Sequence, residues 1–324
     1  MVKVFITRPI PEIGIKILRD KDYEVLVNER ARDRAAGKSE ILNGIKGADG
    51  LFCTLTEKID AEIINAGLPS LKIIANMAVG FDNIDLEAAK QRGIMVTNTP
   101  GVLTDTVAEH AFALMLAISH RIVEADKFVR AGLYRGWGPI LLLGSDLSGK
   151  TLGVVGLGRI GSRVAYHAVR GFGMKVLYTD VKRDENFERE FGARFFESID
   201  DLLPNCDYVS LHVPLIDSTL HLIDERRLKL MKISAYLINT SRGPIIDEKA
   251  LALSLSKGLI RGAAIDVFEN EPKIEPGLLK LNNIILTPHI ASATEETRNK
   301  MAKLAAKNII EALEGRMPPN IIRI

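Results

Sequence analysis

Leu152-Gly153-Val154-Val155-Gly156-Leu157-Gly158-Arg159-Ile160-Gly161 is the stretch whose reading decides the fold. An apolar strand runs straight into G-x-G-x-x-G, and Val164, Ala165 and Val169 then follow at helical spacing. Each glycine has a separate physical reason. Gly156 permits the tight turn, Gly158 lets backbone approach a pyrophosphate, and Gly161 lets helix and strand pack closely. Leu157, Arg159 and Ile160 complete the loop, and the helix N-terminus turns N–H groups and a positive dipole end toward the phosphates. The next apolar run, residues 175–179, ends in Asp180, 19 residues beyond Gly161. An acid there accepts hydrogen bonds from an adenosine ribose. The glycine pattern alone is weak, and a glycine-rich turn in a nucleotide-free α/β domain stands as its alternative. Strand, motif, helix and acid in register favour a dinucleotide.

Asp180 also bears on which dinucleotide. A 2′-phosphate beside its carboxylate meets like-charge repulsion, so NAD(H) is expected to be preferred, with NADP(H) use possible. Lys182 and Arg183 lie just beyond, either as solvated surface charge or as partners for a phosphate.

Outward from this motif the chain keeps alternating. Before it come short β-branched runs at residues 4–6, 24–27, 50–53, 71–76 and 94–98, separated by helix-like stretches such as 60–67 and 85–93. After it come further runs at 208–212, 235–239, 262–265 and 284–287. Strand alternating with helix means parallel sheets covered on both faces. A long helix is expected from Thr106, where Thr106 and Glu109 have capping-box spacing, to about Val129, with a stop at Gly132. Its first half is apolar almost all the way round, which calls for burial on every side. A last helix is expected over residues 292–313.

Composition narrows the class. With 324 residues, 47% hydrophobic and 26% charged, the chain reads as globular with room for two domains. A net charge of +2 gives no broad basic face, so nucleic acid is not indicated. The longest apolar run, residues 111–118, is short of the ~20 needed to cross a bilayer. The N-terminal apolar run is too short for a signal peptide. Cys53 and Cys206 stand far apart in no metal-ligand spacing, so no metal is expected and a cytoplasmic location is.

Three polar residues follow strands, where active sites of parallel sheets lie. They are Arg242 in Asn239-Thr240-Ser241-Arg242-Gly243, Glu271 after Asp266, and His289 in Thr287-Pro288-His289-Ile290-Ala291-Ser292. A guanidinium grips a carboxylate in bidentate fashion. A histidine exchanges a proton with a carbonyl or alcohol oxygen, and a paired glutamate keeps its imidazolium available. Singly, Arg242 also reads as a surface residue and Glu271 as a loop charge. For His110, His120, His167 and His221 a surface or satisfied-core role is the expectation.

The ordered set of these segments, together with Ala78-Val79-Gly80-Phe81-Asp82-Asn83-Ile84-Asp85, Val96-Thr97-Asn98-Thr99-Pro100-Gly101, Thr106-Val107-Ala108-Glu109 and Leu211-His212-Val213-Pro214-Leu215, resembles the D-isomer-specific 2-hydroxy-acid dehydrogenases over essentially the whole chain. Within the family the likeness is greatest to the glyoxylate/hydroxypyruvate reductase branch. The resemblance implies two doubly wound parallel-sheet domains. A discontinuous, flavodoxin-like substrate domain takes residues 1–99 and 290–324, and a Rossmann dinucleotide domain takes 100–289. It implies His289 as acid/base, Glu271 as its partner and Arg242 as the anchor of the substrate carboxylate. It further implies substrate contacts from Leu55, Val79, Gly80 and Ser292, and cofactor contacts from Thr106, His212, Val213, Pro214, Thr240, Ser241 and Asp266. The active site would lie in the cleft between the domains. The long helix would form much of a homodimer interface, with Trp137 reaching across it.

Alternatives remain within and beyond the enzymes. A 3-phosphoglycerate dehydrogenase shares the triad, but Cys53, Thr54, Leu55 and Thr56 stand where that branch carries arginines for a phosphate. Nor do 324 residues leave room for the regulatory domain that many of those enzymes append. Formate dehydrogenase lacks the glutamate that Glu271 supplies. A dinucleotide-sensing corepressor on this fold can keep the triad, although the chain has no long disordered tail.

Overall fold

The computed structural model describes residues 1–323, and the chain divides into two compact units, Met1–Leu103 with Ala293–Ile324, and Thr104–Ser292. In the first, strands β1 (Lys3–Ile6), β2 (Glu24–Val27), β3 (Gly50–Cys53), β4 (Ile73–Asn76) and β5 (Met95–Thr97) are all parallel. Their order, β2-β1-β3-β4-β5, is that of flavodoxin-like sheets. Strands β3 and β4 bury every residue, as expected of a sheet covered on both faces. The C-terminal helix Glu295–Leu313 packs on helix Glu12–Arg19, and a Cβ at Gly14 would stand 3.0 Å from that of Ala302. The tail then joins the edge strand, Ile322 N–H donating to the Val96 carbonyl at 2.8 Å.

The second unit holds β6 (Thr151–Val155), β7 (Lys175–Thr179), β8 (Arg194–Phe195), β9 (Tyr208–Leu211), β10 (Tyr236–Asn239), β11 (Gly262–Ile265) and β12 (Ile284–Leu286). The order β8-β7-β6-β9-β10-β11-β12 is the doubly wound dinucleotide arrangement with one strand added. The pairings Val155↔Thr179, Val155↔Leu211, Asn239↔Leu211, Asn239↔Ile265 and Ile265↔Leu286 are parallel. Gly156, Asp180, His212, Thr240, Asp266 and Thr287 are the next residues along, so one sheet edge collects all six.

The long helix departs from its expected form. It begins at Thr104, so Thr106 lies inside it and is no cap, and it ends at Ser119. A second helix, Ile122–Arg130, follows after Arg121 at φ 55°. The break has a cause that arrives from farther along the chain. The Ser119 carbonyl accepts from Ser145 N–H at 2.9 Å, and the Ser119 hydroxyl donates to the Met115 carbonyl at 2.6 Å, which diverts the helical ladder. Neither Gly nor Pro marks the spot. Burial is also incomplete, since Asp105, Glu109 and Ala113 form an exposed stripe. The C-terminal helix starts at Glu295, capped by Thr294, rather than at residue 292. Two-residue β8 was too short to leave a period in the sequence.

Candidate active site

The dinucleotide edge is built by close approach. Gly156 sits at φ 94°, and a Cβ there would meet the His212 carbonyl at 2.9 Å. A Cβ at Gly161 would stand 2.0 Å from the Gly156 oxygen. These contacts seat the β6 and β9 loops on each other where the strand order reverses, the place where doubly wound sheets bind ligands. Around Gly158, by contrast, the space a Cβ would take is open. Helix Arg159–Phe172 begins there with no side-chain cap on its N–H groups. The buried Thr240 hydroxyl has no hydrogen-bond partner among the described residues. An open cradle at a helix N-terminus, with an orphaned hydroxyl on the same sheet edge, fits a bound dinucleotide.

Asp180 closes this edge. Its Oδ2 accepts the Leu157 N–H at 2.6 Å and its Oδ1 the Lys182 N–H at 3.2 Å. Arg183 is held away by Glu188 in a two-pronged pair, both contacts at 2.8 Å, and the Tyr178 hydroxyl donates to the same carboxylate. That fork pulls the Glu188 carboxyl down to about 2.

The reactive corner lies at the ends of β10, β11 and β12. Asn239, buried, shapes the first turn, its amide donating to the Arg242 carbonyl at 2.9 Å and its Oδ1 accepting from Ser241. The Arg242 guanidinium donates to the Ser241 carbonyl at 2.7 Å. Gly243 then admits the neighbouring loop, since a Cβ there would stand 1.9 Å from the Phe268 carbonyl carbon. Only glycine lets the Arg242 turn and the Glu271 loop pack this closely.

His289 Nδ1 lies 3.0 Å from Glu271 Oε2 and 3.2 Å from Oε1, and Glu271 Oε1 accepts the Phe268 N–H at 3.0 Å. With Nδ1–H given to the carboxylate, Nε2 remains for an external partner. The backbone of His289 is left-handed at φ 54°, a conformation histidine adopts only where its surroundings impose it. Asp266 imposes it. Its carboxylate, wholly buried, accepts from the Thr287 hydroxyl at 2.6 Å and from Ile290 and Ala291 N–H at 2.9 and 2.8 Å. Burial raises that carboxyl, but bonds from His110, Thr287, Ile290 and Ala291 outweigh it and hold it below the ordinary range. His110 Nε2 stands 3.5 Å from Asp266 and 3.4 Å from Thr287, a link that its place on a helix did not signal.

The substrate candidates of the other unit occupy two loops. The Val79 and Gly80 carbonyls after β4 accept from the amides of Asn98 and Asn76, at 2.7 and 3.0 Å. Leu55 rides on a loop organised by Glu57, which is buried and accepts from the Thr7, Thr54 and Thr56 hydroxyls and the Thr54 N–H at 2.8–3.0 Å. Arg8 donates to the Thr56 hydroxyl at 3.3 Å, a cation near this loop that its sequence position did not announce. Thr106 lies half-buried within helix Thr104–Ser119, and Ser292 follows the Asp266-held turn half-buried. Among the described residues no cluster of three metal-ligating side chains occurs, and no helix is long and apolar enough to cross a membrane.

Comparison with known proteins bears on this arrangement directly. A family model described as the NAD-binding domain of D-isomer-specific 2-hydroxyacid dehydrogenases matches residues 112–291. A glyoxylate reductase of Thermococcus litoralis is 50% identical over 99% of this chain and 96% of its own length. One from Thermofilum pendens is 49% identical over 99% and 94%. Among solved structures, an NADPH-dependent glyoxylate/hydroxypyruvate reductase of Sinorhizobium meliloti, bound to NADP and malonate, superposes with a TM-score of 0.86. It is 31% identical and covers 99% of this chain and 96% of that one.

Beside the phosphate cradle, His212 has an unusual ring. Burial pushes it down from 6.5 to about 4, and the Ser210 hydroxyl lies 2.8 Å from Nε2. The unfolded chain therefore takes up a proton between pH 6.5 and 4 that the folded chain refuses, and stability drains away as pH falls through that window. The loss should be on the order of 2–3 kcal/mol. His212→Asn should flatten it in urea midpoints measured from pH 7 to 4. Parallel curves for variant and wild type would refute the ring's part.

Proposed function

We propose that this chain, which belongs to the D-isomer-specific 2-hydroxyacid dehydrogenase family, reduces glyoxylate or hydroxypyruvate to the corresponding 2-hydroxy acid with a nicotinamide dinucleotide. The observation that carries the reading is the His289–Glu271 pair at 3.0 Å, set on the same sheet edge as Arg242 and the dinucleotide cradle. The unit containing β6–β12 binds the dinucleotide through residues 156–161, Asp180, His212, Val213, Pro214, Thr240, Ser241 and Thr106. Asp266 also belongs to that set, and its hold on residues 287–291 supports a positioning part.

When bound, the dinucleotide supplies the hydride that ends on C2. The chain supplies the rest. Arg242 grips the substrate carboxylate in a charge-assisted pair, which fixes the oxo group relative to the sheet edge. His289, its Nδ1–H held by Glu271, gives the proton from Nε2 to the oxygen as negative charge develops there. The imidazole left neutral is reprotonated from solvent, and atoms and charge balance for a 2-hydroxy acid. His289→Ala should lower the reductase rate roughly 10²–10⁴-fold. Arg242→Ala should raise KM for the oxo acid while cofactor binding holds. A near-wild-type rate for His289→Ala would remove it as the acid.

Selectivity follows from charge. Asp180 with Arg183 tied to Glu188 favours NADH, because a 2′-phosphate would meet a carboxylate without the guanidinium. Positions 53–56 hold no cation, which disfavours a phosphorylated substrate. Arg8 beside Thr56 is the one observation favouring the phosphoglycerate alternative, and its guanidinium is engaged by Thr56 and the Arg32 carbonyl. Glyoxylate, hydroxypyruvate and 3-phosphohydroxypyruvate assayed with NADH and NADPH decide both points. NADH with an unphosphorylated acid should be fastest; equal use of both cofactors, or preference for the phosphorylated acid, contradicts the reading.

The protein works as a homodimer. Helix Ile122–Arg130 buries none of its residues, and Ile122, Val129, Leu133, Tyr134, Trp137, Ile140 and Leu143 are all more than half exposed in the single chain. Apolar surface of that extent marks an interface. Sedimentation equilibrium should give twice the chain mass, and Trp137→Glu should weaken association; a monomer at assay concentration would count against the assignment.

A further inference from the structure

The loop of residues 266–277 carries Glu271, and its shape decides where the glutamate meets His289. From one side Gly243 presses against the Phe268 and Glu269 backbone. From the other stands Glu248, the first residue of helix Glu248–Ser256, only 3% exposed. One carboxylate oxygen accepts the Glu269 N–H at 2.6 Å and the other accepts the Glu275 N–H at 3.2 Å. Those two N–H groups bracket Glu271, and between them Lys273 N–H closes a turn on the Asn270 carbonyl at 2.9 Å.

We propose that Glu248 is a positioning residue for the proton-transferring pair: its two oxygens clamp both flanks of the Glu271 loop and thereby fix Glu271 against His289. The inference rests on the reading of His289 and Glu271 given above. A planar carboxylate is suited to the task because it offers two acceptor oxygens and no donor. An amide would keep one acceptor and turn an NH₂ group against the second backbone N–H. Glu248 is also compensated in place. It stands in the first turn of its helix, where the dipole favours an acid. The neighbouring charges are Glu269 and Glu275, and Glu269 is turned to His221, whose Nε2 lies 2.8 Å from its carboxylate. Burial, and then the Glu269 and Glu275 charges, push the Glu248 carboxyl up, and the two backbone N–H groups pull only part of that back, so it stays above its ordinary value. Nothing in this arrangement touches the phosphate cradle, so a cofactor effect is not expected.

The rival account makes Glu248 an ordinary stabiliser of its helix. The two separate in a double-mutant cycle of Glu248→Gln with Glu271→Gln, reading glyoxylate reduction with NADH well below every unfolding midpoint. Displacing a reacting group by about 1 Å costs roughly 10²-fold. Glu248→Gln should therefore lower kcat about 10-fold and Glu248→Ala about 10²-fold, with the NADH Kd unchanged. In the Glu271→Gln background, Glu248→Gln should add almost nothing. A lowered unfolding midpoint with wild-type kcat, or the same drop in both backgrounds, overturns the proposal. Should Glu248→Ala fail to fold, the isosteric glutamine variant carries the test alone. A near-wild-type rate for His289→Ala in the same series overturns the underlying assignment instead, which keeps the two failures apart.

Discussion

Asp266 never reaches water, and the turn that carries His289 hangs on its carboxylate. An isolated charge in that position would be expensive, and three short hydrogen bonds from one side chain and two backbone N–H groups make it tenable. The same solution appears twice more. Glu57 gathers the hydroxyls around the Leu55 loop, and Glu248 gathers two N–H groups of the Glu271 loop. In each case a buried acid fixes the backbone, and the residue proposed to serve the site is displayed by that backbone rather than by its own packing. This is how His289 and Glu271 keep part of their side chains accessible, at 23% and 28%, while the loops beneath them are fixed.

Such acids explain what the sequence reveals and what it conceals. The glycine loop was legible because three functions, a turn, a close approach and a helix start, each demand glycine at fixed spacing. The two sheets were legible from apolar runs, and the strand order follows once the connections are right-handed crossovers. Arg242, Glu271 and His289 could be picked out because each follows a strand, yet residue type alone left them open to ordinary surface roles. Neither Glu248 nor the part played by the Glu57 carboxylate could be read from the sequence, since nothing local separates a buried glutamate from an exposed one. Gly243 closes one of the segments that carry the resemblance, but the reason for a glycine there was hidden, because its constraint comes from a loop 25 residues away in sequence. The break at Arg121 was hidden for the same reason: the group that diverts the helix, Ser145, arrives from beyond the next helix.

At the cofactor edge, charge placement is also settled at a distance. The sequence sets Lys182 and Arg183 beside Asp180, so the preference for NAD(H) expected from the acid stands next to two cations that read either as solvated charge or as partners for a phosphate. Folding ties Arg183 to Glu188 on the following helix, which supports the proposed preference for the unphosphorylated ribose. Exposed ion pairs of this kind add little to stability, and their consequence here is for recognition.

Arg242 and His289, fixed on one sheet edge, should hold the carboxylate and the oxygen of the oxo acid so that hydride reaches only one face of C2. Hydroxypyruvate makes that visible, because its reduction creates a stereocentre. The chirality of the glycerate formed with NADH, read by a stereospecific assay of the product, is the direct measurement. D-glycerate alone is the predicted product. L-glycerate, a racemic mixture or no turnover would contradict the placement of the two side chains.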